Sequence, residues 1–340
     1  MKFQLNRKAA AVILLVAAVF LLVVILFINQ FDQQEETVVV QVELNTFQVD
    51  SLFLFSLNSF GLSNKWIKEV QNKKTDKSYL IRLPIDLSVP VVLAEINSNF
   101  FESNLVVSSV EKNLSGRTRL TISSEDRIIL SAELKYDKEI FRTARTLGFI
   151  IKDYELSDSE DSLLLELPEP FSVLLKPSTE YTNLVKYIVD LGKTYSIIID
   201  DDIAELKYRL NEGYSEKRLT KSLKSIINNF SDAIFFLIDD NSEVFLSPSF
   251  EHIRRELEKR KINILWLSEL QHLNYDDEIE LKKSFDNYLK GLGESESKLF
   301  LITADVFRTL LPEIERYRKT GFKIIHPSEI IIVRDTIDKD

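Results

Sequence analysis

One apolar run governs how this chain must be laid out. Ala9 to Ile28 contains no charged residue, no Gly and no Pro. A run of this kind just spans a hydrocarbon core, which needs about 20 apolar residues in a helix. Lipid forces such a segment to be helical, because every backbone N–H and C=O must be satisfied within it. Lys2, Arg7 and Lys8 precede the run, and Asp32, Glu35 and Glu36 follow it. The excess of positive charge before the run predicts a cytoplasmic N-terminus at 1–8, a membrane anchor at 9–28, a stalk at 29–36 and an extracytoplasmic (periplasmic) remainder. A cleaved leader would carry a shorter apolar stretch and a small-x-small cleavage site. The run instead ends in Leu26-Phe27-Ile28-Asn29-Gln30, which offers no such site.

The chain beyond the stalk suits about two domains of roughly 150 residues each. The net charge is −10, with no Lys/Arg-dense stretch after the anchor, which argues against a nucleic-acid partner. The chain has no Cys, so disulfides, thiolate metal sites and thiol nucleophiles are excluded. Eight Gly occur, none spaced to cradle a phosphate, and that disfavours a nucleotide.

Residues 37–137 read as a small α+β domain. Thr37–Val42 is β-branched and suits a short strand. Helical spacing covers Asp50–Leu62, a second short helix is expected from Asn64 through Val70, and a third runs over Val89–Phe101 with Pro90 in its first turn. Strands are expected at Tyr79–Leu83, Leu105–Val110, Arg117–Ile122 and Arg127–Leu134. The domain gathers no set of catalytic residue types, and its expected role is packing or spacing.

From Thr146 the texture changes, and short apolar strands alternate with amphipathic helices. The strands are Gly148–Ile151, Phe171–Lys176, Tyr195–Asp200, Ala233–Asp239, Ile262–Leu267, Lys298–Ala304 and Lys323–Pro327. The helices are Thr182–Leu191, Ser215–Asn228, Ser249–Arg260, Asp277–Leu289 and Val306–Thr320. Such repetition builds a parallel sheet with helices outside it. Over 146–334 it predicts an α/β fold, a distorted (β/α) barrel more than an open sheet. Barrel chemistry sits where strands end, and those ends are acidic: Asp153, Asp200 with Asp202, Asp239 with Asp240, and Asp305. His326 follows the last strand. The same carboxylates also suit helix N-termini, so capping is an alternative to ligand binding.

The order of these segments resembles the divergent polysaccharide deacetylase family, exported relatives of zinc-dependent deacetylases acting on N-acetylated glycans. Ile150-Ile-Lys-Asp-Tyr-Glu155 is similar to that family's I-I-I-D-D-x-G, and Phe171–Pro177 to its strand leading into a Pro. Leu191-Gly192 followed by Tyr195–Asp200 fills the slot of the strand ending in H-x-P-M-E. Ala233–Ser242 takes the place of G-x-N-N-H-M-G-S. Thr303-Ala-Asp305 with Thr309-Leu310 stands where G-H-P is expected, and Gly321–Ile330 matches the terminal G-I-x-L-V-P-V-S-E-L. The resemblance implies a deacetylase-type barrel, carbohydrate metabolism and a cell-envelope location.

The departures from the pattern matter most. Lys152 stands in place of one of the paired Asp, and the family's metal-binding His positions fall near Ile198, at Asp239 and at Ala304. The three His of this chain, His252, His272 and His326, miss all of them. His252 on a helix and His272 in a loop are expected at the surface, and His326 is expected to be structural. Deacetylation needs a metal that activates water, with a base and an acid beside it, and zinc favours imidazole or thiolate. The expectation is therefore no resident cofactor, zinc disfavoured, and a pseudoenzyme that binds an envelope glycan or envelope protein. Tyr154, Tyr208 and Tyr214 are candidates to stack sugars. Two alternatives stay open: an active hydrolase in which Asp153, Asp200 and Asp239 ligate Mg²⁺, Mn²⁺ or Ca²⁺, and a structural spacer without a ligand.

Overall fold

The computed structural model describes residues 43–331, apart from 73, 113–115, 126, 143–144, 156–158, 276 and 294. The anchor, the stalk and the strand expected at 37–42 lie outside the described residues. Among the described residues, no helix is long and apolar enough to cross a membrane.

The first unit is a five-stranded sheet with two helices on it. Helix Thr46–Asn58 starts four residues before its expected position because Asn45 caps it. The Gln48 N–H donates to the Asn45 side chain at 2.9 Å, and the Asn45 N–H donates back to the Gln48 side chain at 3.0 Å. Strands β1 (Ile67–Glu69), β2 (Lys77–Leu83), β3 (Val106–Glu111), β4 (Arg117–Ser124) and β5 (Arg127–Tyr136) stand in the order β1-β2-β5-β4-β3. Helix Val89–Phe100 starts where Pro90 predicts. The second short helix is a correction. Only Asn64–Trp66 makes a 3₁₀ turn, and Ile67–Glu69 is a strand antiparallel to β2, because Ile67 faces Ile81 across the pair. Val49, Phe53 and Leu57 of the first helix and Val92, Ile96 and Phe100 of the second pack on Ile81, Leu83, Leu130 and Leu134 of the sheet.

The second unit holds eight strands: β6 (Thr146–Lys152), β7 (Ser172–Leu175), β8 (Thr194–Ile199), β9 (Phe236–Ile238), β10 (Ile264–Trp266), β11 (Gln271–His272), β12 (Ser297–Thr303) and β13 (Lys323–Ile324). Every pair is parallel. The order is β10-β9-β8-β7-β6-β12-β11, with β13 added against the start of β6. This order requires a curled sheet. Laid flat, seven strands at about 4.8 Å spacing would hold the outer two roughly 29 Å apart. Yet β10 and β11 are joined through a 3₁₀ turn at Leu267–Glu269, a link too short to reach much beyond about 18 Å. The edges therefore curl toward one another, and the result is a mixed α/β fold with a barrel-like parallel sheet.

Side-chain alternation then divides the apolar residues into two layers. Ile150, Leu174, Leu237, Leu265, Leu299 and Leu301 point inward and fill the barrel, closed below by Ile330 and Ile331. Phe149, Ile151, Val173, Ile197, Ile199, Phe300 and Ile302 point outward under the helices. Those helices are Tyr181–Asp190, Glu216–Asn229, Ser249–Lys259, Glu278–Gly291 and Ala304–Lys319, and two short ones, Ser159–Leu164 and Glu243–Leu246, were not expected. Gly148 leaves room for the plug: a Cβ there would lie 2.7 Å from the Leu299 side chain and 2.9 Å from that of Ile330, and those two side-chain ends would have to shift.

Candidate site at the strand ends

Inward alternation continues past the apolar layer, and there the chemistry changes. Ile150 is followed two residues on by Lys152, Leu174 by Lys176, and Ile198 by Asp200. In the strand register Lys152 follows the Ile151–Val173 pair and stands beside Leu174, and Lys176 follows Leu175–Ile197 and stands beside Ile198, so the three polar side chains are staggered by two residues at each step across the sheet. They wall a cavity of about 320 Å³ whose floor includes Leu174, Ile198, Leu267 and Leu301 and whose rim includes Asp153, Tyr154 and Tyr181.

Within it, Lys176 Nζ lies 3.0 Å from Asp200 Oδ2 and 3.4 Å from Asp202 Oδ2. The Asp200 side chain is only 10% exposed, and its Oδ1 also accepts the Asp202 N–H at 3.0 Å. Burial pulls the Lys176 ammonium down, but the hydrogen bonds and charges of Asp200 and Asp202 outweigh it, and its pKa ends above the ordinary lysine value. Lys176 is thus a fixed cation rather than a base or nucleophile. Lys152 Nζ lies 3.8 Å from Asp153 Oδ2. Asp153 takes φ +55°, a left-handed conformation that turns its 73% exposed side chain out at the cavity mouth. The wall thus carries two ammonium groups and two carboxylates.

Tyr154 forms the shielded side. Its hydroxyl is buried without a hydrogen-bond partner among the described residues. Burial, aided by the nearby Asp161 charge, pushes its pKa up to about 12. Asp161 is itself occupied, accepting the Glu155 N–H at 2.9 Å and Arg308 Nη1 at 2.9 Å.

The other expected residues disperse. Asp239 follows β9, and its carboxylate accepts the Asn241 N–H at 3.0 Å outside the cavity. Asp240 accepts the Ser268 N–H at 3.2 Å, and Asp305 pairs with Arg308 beside it on helix Ala304–Lys319. Asp201, not singled out in the sequence, caps the short helix at Glu243 by accepting that residue's N–H at 2.6 Å. Tyr208 is a core residue, fully buried and bonded to Asn229 Nδ2 at 2.6 Å, so it cannot stack a sugar. Tyr214 lies under the Arg218 guanidinium, away from the cavity.

The histidines bring no imidazole to the cavity wall. His252 is half-buried rather than a surface residue, with Nε2 2.8 Å from Thr220 Oγ1. His272 is exposed but lies in β11, not in a loop. His326 sits well below the rim. β13 pairs only with Thr146 and Leu147, and Lys152 lies five residues, about 17 Å, further along β6.

Among the described residues, no group of three or more His, Cys, Asp or Glu is placed to hold a metal ion. The buried carboxylate Asp200 already carries a cation, supplied by the chain itself. Sequence reading missed Lys176. The signal was the alternation in Ser172–Lys176, where the inward series Ser172, Leu174 continues into a lysine.

No protein-family model matches the sequence. A search of the curated proteins found no match either. Among solved structures, similarity extends to BA3943 of Bacillus anthracis, described as a CE4 family pseudoenzyme, at 11% identity over 70% of this chain and 94% of that one, with a TM-score of 0.38. The peptidoglycan deacetylase PdaC of Bacillus subtilis aligns at 12% identity over 58% of this chain and 94% of that one, TM-score 0.36. The polysaccharide deacetylase Bc1974 of Bacillus cereus does so at 11% identity over 54% and 92%, TM-score 0.36. These three neighbours are described as a CE4 family pseudoenzyme, a polysaccharide deacetylase and a peptidoglycan deacetylase.

Proposed function

We propose that this chain is a divergent polysaccharide deacetylase-like protein that binds an envelope glycan, or an envelope protein, at the strand-end cavity without hydrolysing it. The observation that carries this reading is the Lys176–Asp200 pair. Deacetylation of the type the resembled family performs uses a Lewis acid and a water activated by it. Here the most buried carboxylate is neutralised by an ammonium at 3.0 Å. That ammonium offers three donors and no acceptor. Such a wall donates to ligand carbonyl, hydroxyl or carboxylate oxygens. The sequence slots agree, since Ile198, Asp239 and Ala304 stand where the resembled family keeps imidazoles.

The Ala9–Ile28 run supports a single-pass anchor with the barrel outside the cytoplasm. Membrane fractionation and protease accessibility in spheroplasts test that part. For the cavity, full-length protein in detergent is incubated with N-acetylglucosamine oligomers and peptidoglycan, with zinc, cobalt or manganese added. No acetate release above the blank is expected, with measurable glycan binding that Lys176→Ala weakens. Metal-dependent release abolished by Asp200→Asn would overturn the reading.

A further inference from the structure

A second and larger cavity, about 1040 Å³, opens where the two units meet, far from the strand ends. Its wall joins Lys65 and Trp66 of the first unit with Arg145 and Lys323 of the second, and Phe141 lies on the segment between them. The cleft is a built feature rather than a loose gap. Arg142, with a side chain only 9% exposed, ties the units together: Nη1 donates to the Lys319 carbonyl at 2.7 Å and to the Phe60 carbonyl at 3.2 Å, and Nε donates to Asp86 Oδ2 at 2.8 Å. Gly61 fits closely enough that a Cβ would lie 2.5 Å from the Thr320 carbonyl oxygen.

Charge in the cleft runs against the charge of the whole protein. The chain carries −10 overall. Among the described residues, the only carboxylate lining the cleft is Asp86, and it is taken by Arg142. Lys65 and Lys323 are exposed, and among the described residues neither forms a carboxylate ion pair. Among the described residues, the Arg145 guanidinium donates to the carbonyls of Gly293 and Leu289 and lies over the Phe322 ring. A concave wall with, among the described residues, a surplus of positive charge focuses potential onto an anionic ligand. Trp66 and the exposed Phe141 add flat apolar faces, and Ser63 and Ser295 add hydroxyls. At about 1040 Å³ the cleft lies at the upper end of the usual range for a small-ligand pocket, roughly 300–1,000 Å³.

We propose that this cleft binds an acidic saccharide chain, its carboxylates on Lys65, Arg145 and Lys323 and its ring faces on Trp66 and Phe141. A polynucleotide is disfavoured because it would bring many phosphates against a strongly anionic protein through so few free cations. The site is separate from the strand-end cavity and does not depend on that cavity's role.

The test titrates full-length protein in detergent with hexameric oligogalacturonate, using calorimetry and Trp fluorescence at low and high salt. Neutral N-acetylglucosamine hexamer and a single-stranded oligonucleotide serve as comparison probes. Oligogalacturonate is expected to bind, more weakly in high salt, with K65A/K323A reducing affinity at least tenfold and Lys224→Ala, at an exposed position on helix Glu216–Asn229, leaving it unchanged. W66L, which keeps both lysines, is expected to weaken binding as well. No oligogalacturonate binding, binding unaffected by K65A/K323A in a protein with unchanged circular dichroism, or equal or tighter binding of the oligonucleotide would each overturn the proposal.

Discussion

Lys176 and Asp200 close the top of the barrel as an ion pair, with Nζ 3.0 Å from Oδ2 at the ends of neighbouring parallel strands. Each continues the inward series of its own strand, and the pair forms diagonally, because Asp200 lies two residues beyond Ile198, which is level with Lys176. Replacing Lys176 with Met leaves the Asp200 carboxylate nine-tenths shielded and reduces its partners to the Asp202 N–H. The lysine is half-exposed, so the expected cost is modest, about 1 kcal/mol. Adding Asp200→Asn to Lys176→Met should recover part of that loss, and urea denaturation of the four proteins in a double-mutant cycle measures the coupling.

Arg142→Ala should be among the more damaging single changes at the boundary between the units. It removes two carbonyl contacts and the Asp86 ion pair at a largely buried position. A loss of about 3 kcal/mol is expected from the uncapped carbonyls and the broken pair. Differential scanning calorimetry should show one transition in the wild type and separated transitions in the variant. Asp86→Ala, which leaves the carbonyl contacts in place, should cost less.

Gly61→Ala tests the same boundary from the backbone side. Gly61 adopts φ +70°, and an added Cβ meets a main-chain oxygen of Thr320 rather than a yielding side chain. Strain at φ and the clash together predict a loss of at least about 2 kcal/mol. Gly192 also has positive φ but open space around it, so Gly192→Ala should cost only the conformational share, about 1 kcal/mol. The difference between the two, read from chemical denaturation, isolates the packing contribution.

Acid should loosen the outer face of the barrel through Asp286. Hydrogen bonds from Lys290 at 2.5 Å, from Tyr317 and from Arg316 at 3.0 Å lower its carboxyl from 3.8 to about 2. The folded value lies below the unfolded one, so the stabilisation is fully present above about pH 4 and is lost as pH falls from there toward 2. The contribution is about 2 kcal/mol. Asp286→Asn should be less stable than wild type at pH 6, with the gap narrowing toward pH 2, as followed by thermal unfolding across that range.

Much of the architecture was legible because the barrel strands are short and apolar on both faces. Phe149-Ile150-Ile151, Ile197-Ile198-Ile199 and Phe300-Leu301-Ile302 serve an inner and an outer layer at once. The helices between them declare themselves by periodicity. Ile67–Glu69 was misread because three residues cannot reveal their period, and pairing with β2 decided their form. The site was legible only in part. Acidic strand ends drew notice as a class, yet Asp201 and Asp240 serve as hydrogen-bond acceptors to other segments, and Asp305 pairs with Arg308. Lys176 escaped because a lysine after an apolar run reads as a solvated strand end. Tyr208 was misplaced because burial is set by long-range packing, which spacing along the chain does not contain.

The most direct measurement is equilibrium dialysis of purified full-length protein in detergent against zinc, and separately against manganese, with metal analysis of the retained protein. The expected result is far less than one equivalent per chain for the wild type, with no loss of metal on changing Asp200 to Asn. One tightly held equivalent per chain that disappears in Asp200→Asn would contradict a barrel whose central carboxylate is already satisfied by Lys176.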